Sequence, residues 1–173
     1  MQDIKESVTL QQILDFRELK VQCINDLLNK YNPCSIITLG MNIPGGKKTN
    51  KLIRCAFLEG KKQIQCALNS MSVKILLVKD IMRTEGLISF FVVDDKDSKQ
   101  LKIKMIDVED KNPKGRLFDI DVYNANGEQL SRECLNLPCR KCFICEKPAK
   151  ECARNRTHSA SELQKKIEEL LKL

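Results

Sequence analysis

Apolar residues recur along this chain with two different periods, and these periods predict a succession of helices and strands. Over residues 8–30 they return mostly every third or fourth position, which is typical of one face of an amphipathic helix. Thr9 and Gln12 have the spacing of a capping box at its start, and Asn32-Pro33 ends it. The full prediction comprises helices over 8–30, 98–109 and 160–172, another with its apolar side over 52–68, and strands over 35–39, 73–78, 87–93, 116–123 and 128–132.

One α+β domain over residues 1–173 is the simplest arrangement of these elements. No internal repeat, low-complexity tract or long linker divides the chain, and this length can bury a substantial core. The segment 134–158 holds five of the nine cysteines and few apolar residues. We expect this Cys-rich segment to be irregular and the helix 160–172 to follow it.

Charge and composition narrow the class of protein. The net charge of +7 favours an anionic partner, such as a nucleotide, a pyrophosphate, an acidic protein or a nucleic acid, although it would also serve solubility alone. Aromatic residues are only 5% of the chain, which is few for a protein that stacks on single-stranded nucleic acid. No apolar run reaches about 18 residues and the N-terminus lacks a secretory pattern, so we expect no membrane span and a cytoplasmic protein with reduced thiols.

A pair of carboxylates lies in the predicted strand 116–123. Alternate side chains of a strand share a face, so Asp119 and Asp121 should point the same way, together with Leu117. Two carboxylates this close are unfavourable unless a cation lies between them, and Mg²⁺ is the natural ion for hard oxygen ligands. The alternative is an ordinary half-exposed strand with acidic residues on its outer face.

The loop between the first strand and the second helix has the composition of an anion site. Gly45 and Gly46 permit close backbone approach, Lys48 adds charge, and Asn42 begins the loop. The spacing is not that of a Walker A loop. A simple Pro-Gly turn is the competing interpretation.

The third candidate is a cysteine cluster near the C-terminus. Cys142, Cys145 and Cys152, with His158 as the only histidine, have ligand types and spacing that suit structural zinc, and Cys139 lies just before them. Two alternatives stay open, namely four cysteines without the histidine, and reduced thiols packed in a loop without metal.

These motifs, taken in order, resemble a known family. The resemblance covers Asn42-Ile-Pro-Gly45 with Lys48, Gly115-Arg-Leu-Phe-Asp-Ile-Asp-Val122, Ser131-Arg132, Leu137-Pro138, and Arg140-x-Cys142-x-x-Cys145 followed by Ala149, Cys152, Arg154 and His158. In these motifs the chain is similar to the citrate lyase holo-acyl-carrier-protein synthases, also called apo-citrate lyase phosphoribosyl-dephospho-coenzyme A transferases. Two departures are Arg83-Thr84-Glu85, where the family tends to have Gly-Pro-Glu, and Cys139, where it often has Pro. Cys139 is therefore left out of the preferred ligand set.

The resemblance implies a reaction and a fold. The enzyme would transfer the 2′-(5″-phosphoribosyl)-3′-dephospho-CoA group from its triphosphate precursor to a serine of the citrate lyase acyl-carrier subunit, with release of pyrophosphate. Asp119 and Asp121 would be catalytic and hold Mg²⁺, and phosphate would be bound by Asn42, Gly45, Gly46, Lys48 and Arg116. The implied fold is a nucleotidyltransferase-like mixed β-sheet flanked by helices. Neither nucleic acid nor a membrane is expected as a partner.

Three other functions fit part of the pattern. A transferase for the malonate decarboxylase carrier protein would use the same kind of precursor, but the Cys-rich tail favours citrate lyase. A basic zinc-dependent nucleic-acid-binding module would account for charge and cysteines and leave the Asp pair unexplained. A non-catalytic assembly factor for the lyase would not need the Asp pair.

Overall fold

The computed structural model describes residues 8–95 and 97–173, which form one α+β unit. Its helices are α1 (Leu10–Tyr31), α2 (Lys51–Ser70), α3 (Ser98–Asp110), α4 (Ala149–Asn155) and α5 (Ala160–Leu171). Its strands are β1 (Ser35–Met41), β2 (Lys74–Arg83), β3 (Gly86–Asp94), β4 (Phe118–Tyr123) and β5 (Gln129–Leu130). In this part of the chain, no helix is both long enough and apolar enough to cross a bilayer.

The five strands form a sheet in the order β2-β3-β1-β4-β5, and each neighbouring pair is antiparallel. The expectation of a mixed sheet is therefore wrong. The strands β1 and β2, which α2 connects, run parallel to each other, but β3 lies between them. In the same way, α3 joins β3 to β4 and β1 lies between them. Two interleaved β-α-β units of this kind make a split β-α-β arrangement, so parallel strands never become neighbours.

The sheet is covered on both faces. Alternate residues of β1, β3 and β4 pack with α2, α3 and α5 in the larger core, which includes Phe57, Phe91 and Phe118. The opposite face packs against the C-terminal half of α1, where Cys23, Ile24, Leu27 and Leu28 are buried. In the N-terminal half of α1, Phe16 and Leu19 are only partly buried against this smaller core, and a cavity lies between this half of the helix and the sheet.

The predicted helices are confirmed, and so is the predicted cap of α1. Thr9 and Gln12 form the capping box of α1, and Ser159 and Glu162 form that of α5. The helix predicted over 98–109 is observed as Ser98–Asp110, and Asp97 caps it. These agreements follow from local hydrogen bonds that the sequence spacing already defines.

Three local predictions need correction. The strand predicted over 116–123 begins only at Phe118, because Pro113–Leu117 forms a 3₁₀ turn. Asn112 caps this turn, since its side-chain oxygen accepts a 2.8 Å hydrogen bond from the Gly115 amide. Leu117 is therefore buried in the larger core and does not share the face of Asp119. The strand predicted over 128–132 is reduced to Gln129–Leu130, and the Cys-rich segment contains the short helix α4.

Candidate functional site

A cavity of about 370 Å³ lies between the N-terminal half of α1 and the sheet face that carries Asp119. Glu85 and Gly86, at the turn between β2 and β3, contribute to its wall. Its charged and amide-bearing walls are Arg17, Lys20, Asn42, Lys48, Glu85 and Asp119. A space of this kind, with three cations and few acids, suits an anionic ligand.

The Asp pair is arranged as the alternation in the sequence predicts. Phe118, Ile120 and Val122 are buried in the larger core, whereas Asp119 is exposed and Asp121 is half-buried on the opposite face. Asp119 lies opposite Gly40 of β1 in the register. Because Gly40 has no side chain, the carboxylate faces open space in the cavity.

The two carboxylates have different partners. One oxygen of Asp121 accepts a hydrogen bond from Lys20 Nζ at 2.7 Å, and the other accepts from Gln129 Nε2 at 2.8 Å. Asp119 accepts no side-chain hydrogen bond from residues 8–95 or 97–173. The pKa of the Asp119 carboxyl is raised, chiefly by loss of solvent around it in the concave site and secondly by repulsion from Asp121. A cation placed beside Asp119 would relieve both effects.

The strand that carries the pair is fixed along its outer edge by side chains. Next to the short β5, the Ile120 amide donates to Glu109 Oε1 at 2.9 Å and the Ile120 carbonyl accepts from Lys102 Nζ at 2.7 Å. The Phe118 carbonyl accepts from Arg140 at 2.6 Å. On this edge of β4, these bonds take the place of hydrogen bonds to a neighbouring strand for the residues before and after Asp119. The backbone at Asp119 therefore has little freedom to shift.

Only some residues of the loop between β1 and α2 line the cavity. Asn42 and Lys48 line it, and Lys48 Nζ donates to the Ile43 carbonyl at 2.6 Å. The pKa of Lys48 is lowered, chiefly by burial and secondly by repulsion from the nearby Arg17. The two glycines predicted to bind phosphate are not among the cavity walls.

Those two glycines contact other parts of the fold. The Gly46 carbonyl accepts from the Val8 amide at 2.9 Å. Gly45 has a φ of +86°, and a Cβ there would lie 3.0 Å from the Gln164 side chain of α5. The loop is thus held between α5 and the residues before α1.

Arg116 is also outside the cavity. Its guanidinium donates to the carbonyls of Lys141, at 3.3 Å, and Cys142, and lies over the Phe143 ring, 5.7 Å from its centroid. The structure therefore does not bring Arg116 together with Asp119. It joins the 3₁₀ turn to the Cys-rich segment instead.

Sequence reasoning missed Arg17, Lys20 and Glu85 as cavity residues. Lys20 carried a usable signal, because it continues the inward-facing stripe of Ile13 and Phe16 along α1. A lysine in an otherwise apolar stripe indicates a polar partner inside the fold. Glu85 was noted only as the residue that corresponds to Glu in the Gly-Pro-Glu of the family, and its place in the cavity depends on the tertiary packing of the β2–β3 turn.

The cysteine cluster is assembled as predicted, with Cys139 outside it. Candidate ligand atoms of Cys142, Cys145, Cys152 and His158 all lie within 4.8 Å of one another. The Cys145 and Cys152 sulfurs are 3.5 Å apart, and His158 Nε2 is 3.3 Å from Cys145 Sγ. This set could bind one metal ion.

Local structure explains how the four side chains converge. Residues 141–148 form a tight loop closed by a 2.8 Å bond from the Cys142 amide to the Lys147 carbonyl. Helix α4 supplies Cys152, and His158 lies in the turn before α5.

The thiols of the cluster differ in acidity. Burial opposes ionisation of Cys142, yet backbone N–H groups of Ile144 and Cys145 donate to its sulfur and lower its pKa. Burial and the neighbouring thiols raise the pKa of Cys152 to about 11. Several thiolates cannot coexist in so small a volume without a cation.

Comparison with known proteins agrees with this set of features. The family model described as apo-citrate lyase phosphoribosyl-dephospho-CoA transferase matches residues 8–173. The chain belongs to this family. A probable apo-citrate lyase phosphoribosyl-dephospho-CoA transferase of Streptococcus pyogenes serotype M18 (strain MGAS8232) is 38% identical over 169 residues, which cover 96% of this chain and 86% of the relative. One of the same name from Vibrio cholerae serotype O1 (strain M66-2) is 31% identical over 164 residues, which cover 95% and 92%.

Membership in the apo-citrate lyase phosphoribosyl-dephospho-CoA transferase family confirms the resemblance read from the sequence, and the family is one of transferases. It supports neither the malonate decarboxylase alternative nor the nucleic-acid-binding alternative. The matched region includes both the Asp pair and the whole cysteine cluster.

Proposed function

We propose that this protein transfers the 2′-(5″-phosphoribosyl)-3′-dephospho-CoA group from its triphosphate precursor to a serine of the citrate lyase acyl-carrier subunit. The proposal rests on Asp119, which lines a cavity with three cationic side chains, and on Asp121, which shares its strand face and pairs with Lys20 of that cavity, in a member of this family. The serine oxygen forms a new bond to the phosphorus next to the ribose, and the bond from that phosphorus to the pyrophosphate breaks. The electron pair of the broken bond leaves with pyrophosphate.

The serine proton needs an acceptor within the cavity. Asp119 is the better candidate of the pair, because its carboxylate lines the cavity and accepts no side-chain hydrogen bond among the described residues. Asp121, in contrast, has a partner on each oxygen. We assign Asp121 chiefly to charge and position.

Mg²⁺ is the cation that this pair of hard oxygen ligands suits. Support comes from Asp119, whose carboxylate lacks a hydrogen-bonding side chain among the described residues, and from Thr38. Thr38 lies opposite Asp121 in the register, and its buried hydroxyl has no partner there either. Once bound, Mg²⁺ would neutralise charge on the triphosphate and on the leaving pyrophosphate.

The phosphates would be bound by side chains that reach the cavity. We keep Asn42 and Lys48 in this role and add Arg17, whose guanidinium can bind two phosphate oxygens at once. The backbone of Gly45 and Gly46 would shape the loop rather than line the cavity. For Arg116 we propose a structural role, since it donates to carbonyls of the tail.

Two further parts of the proposal concern fold and cofactor. The Asp pair on a helix-flanked sheet is compatible with a nucleotidyltransferase-like enzyme. We also propose that the cysteine cluster binds one structural Zn²⁺, because three sulfurs and one imidazole within 4.8 Å match a closed tetrahedral site. Such a site needs reduced thiols, which fits a cytoplasmic enzyme and the nine free cysteines.

Mass spectrometry of the apo acyl-carrier subunit tests the transfer directly. Incubated with this protein, the triphosphate precursor and Mg²⁺, the subunit should gain the mass of one prosthetic group while pyrophosphate is released. Asp119→Asn and Asp121→Asn should each lower the rate at least about 10²-fold, as for other charged catalytic groups. Asp107→Asn, on an exposed face of α3, is the matched control and should keep the wild-type rate. Near-normal transfer by both folded site variants would contradict the assignment.

A further inference from the structure

Lys20 forms an ion pair with Asp121, one of the two carboxylates proposed to hold the metal ion. Lys20 Nζ lies 2.7 Å from one Asp121 oxygen, and Gln129 holds the other oxygen at 2.8 Å. Both Asp121 oxygens therefore already accept a hydrogen bond, and the Lys20 ammonium competes with a metal ion for this carboxylate. Asp119, with no side-chain partner among the described residues, is free of such competition there.

We propose that Lys20 is an exchangeable cation. It holds Asp121 while the metal is absent, and it moves to the triphosphate of the precursor when the metal binds. This inference rests on the proposed function, because it assumes a divalent cation at the Asp pair and a triphosphate in the cavity.

The position of Lys20 makes both contacts feasible. Lys20, Arg17, Lys48 and Asp119 all line the cavity. Asp121 is not among the lining residues, but it lies two positions after Asp119 on the same face of β4, and the Lys20 ammonium reaches it. The long, unbranched lysine side chain can move its ammonium by several ångströms through rotamer changes alone. Triphosphate oxygens in that cavity would lie within the same reach.

Charge decides when the exchange would occur. One ammonium partly neutralises two carboxylates, and burial of the group is offset by its attraction to Asp121. A divalent cation neutralises the pair fully, and it then repels the ammonium at such short range. The released Lys20 needs an anion, and the precursor supplies one. Metal and triphosphate should therefore bind with positive coupling, and Lys20 should carry part of that coupling.

Binding of Mn²⁺, followed by electron paramagnetic resonance, tests the first half without catalysis. With the competing ammonium removed, Lys20→Met should bind Mn²⁺ at least about tenfold more tightly than the wild type in the absence of triphosphate. Lys61→Met is the matched control, because it removes a similarly buried lysine that pairs with Asp80 away from the cavity. It should leave Mn²⁺ affinity unchanged. Unchanged or weaker Mn²⁺ binding by Lys20→Met would overturn the proposal.

Calorimetry with inorganic triphosphate and the Mn²⁺-loaded protein tests the second half. Lys20→Met should bind the triphosphate about tenfold more weakly, whereas Lys20→Arg and Lys61→Met should bind it normally. Tighter Mn²⁺ binding with unchanged triphosphate affinity would overturn the exchange. If Lys20→Met does not fold, Lys20→Gln replaces it in both measurements.

Asp119→Asn and Asp121→Asn separate this proposal from the proposed function. If neither changes Mn²⁺ affinity, the metal site itself is wrong. If both weaken it and Lys20→Met has no effect, only the role of Lys20 is wrong.

Discussion

Adjacent residues of one strand face have been given different environments. Asp121 is neutralised by Lys20 and oriented by Gln129, whereas Asp119 is left facing the cavity with its pKa raised. Asp119 in its ionised form lowers the stability of the folded state, but its free carboxylate is available to a ligand or to a reaction. Active sites commonly combine these two properties.

Replacement of Asp119 by Asn should therefore stabilise the protein near pH 7. Burial and the neighbouring Asp121 raise the pKa of Asp119 in the folded state, so the folded chain holds this proton to a higher pH than the unfolded chain does. As pH rises from the unfolded pKa through the folded pKa, the free energy of unfolding falls. Asn cannot ionise and escapes this loss.

Urea denaturation at several pH values, without metal, checks the prediction. The advantage of Asp119→Asn should be largest near pH 7 and should disappear as pH falls below the ordinary Asp pKa. Asp107→Asn, at an exposed position, should show no such trend. A destabilised Asp119→Asn at pH 7 would mean that the carboxylate has a favourable partner.

The individual site residues differed in how predictable they were. Asp119 and Asp121 follow from alternation within one strand, and the cysteine cluster follows from short spacing along the chain. Lys20 and Asp121 are 101 positions apart. No local pattern determines that pair, because it depends on how α1 crosses the sheet.

At the scale of elements, β4 shows what local reasoning leaves out. The alternation of apolar residues along β4 was recognisable in the sequence, but its start was not, because Leu117, the last residue of the 3₁₀ turn before it, is also apolar. Its outer edge is completed by side chains of α3 and by Arg140, not by a full strand. The antiparallel strand order could not be predicted from local sequence patterns either, because it depends on which strand lies between β1 and β2 in the folded sheet.

Glu109 should be the critical residue of that edge. It is buried, accepts from the Ile120 amide, and pairs with Arg132 at 2.8 Å and Arg140 at 3.3 Å. Glu109→Ala leaves these donors without their acceptor and should lower the free energy of unfolding by about 3 kcal/mol or more. Thermal and urea unfolding measure the loss.

Asp110 provides the comparison for Glu109. It pairs with the same Arg132 but is largely exposed, so Asp110→Asn should change stability by less than about 1 kcal/mol. Equal losses for the two variants would show that the edge bonds to Ile120 contribute little.

At the scale of the whole molecule, three attachments connect the C-terminal tail to the sheet and its core. Arg116 reaches the Cys142 carbonyl, Arg140 reaches the Phe118 carbonyl, and α5 packs Ile167, Leu170 and Leu171 into the larger core. Between these attachments, Cys142 and Cys152 are the buried residues of 139–158. The cysteine cluster is thus the main source of order in that stretch, and a metal there would order it without entering the cavity.

Zinc content and hydrogen exchange test this last proposal together. Protein purified without added metal should contain about one zinc per chain, and chelation should make amides over 141–158 exchange at least about tenfold faster. Amides of β1 and β3 should keep their protection, because local opening need not unfold the sheet. Cys152→Ser should lose zinc, whereas Cys139→Ser, an exposed cysteine outside the cluster, should retain it. Zinc far below one per chain, with identical exchange before and after chelation, would show that the four side chains pack without metal.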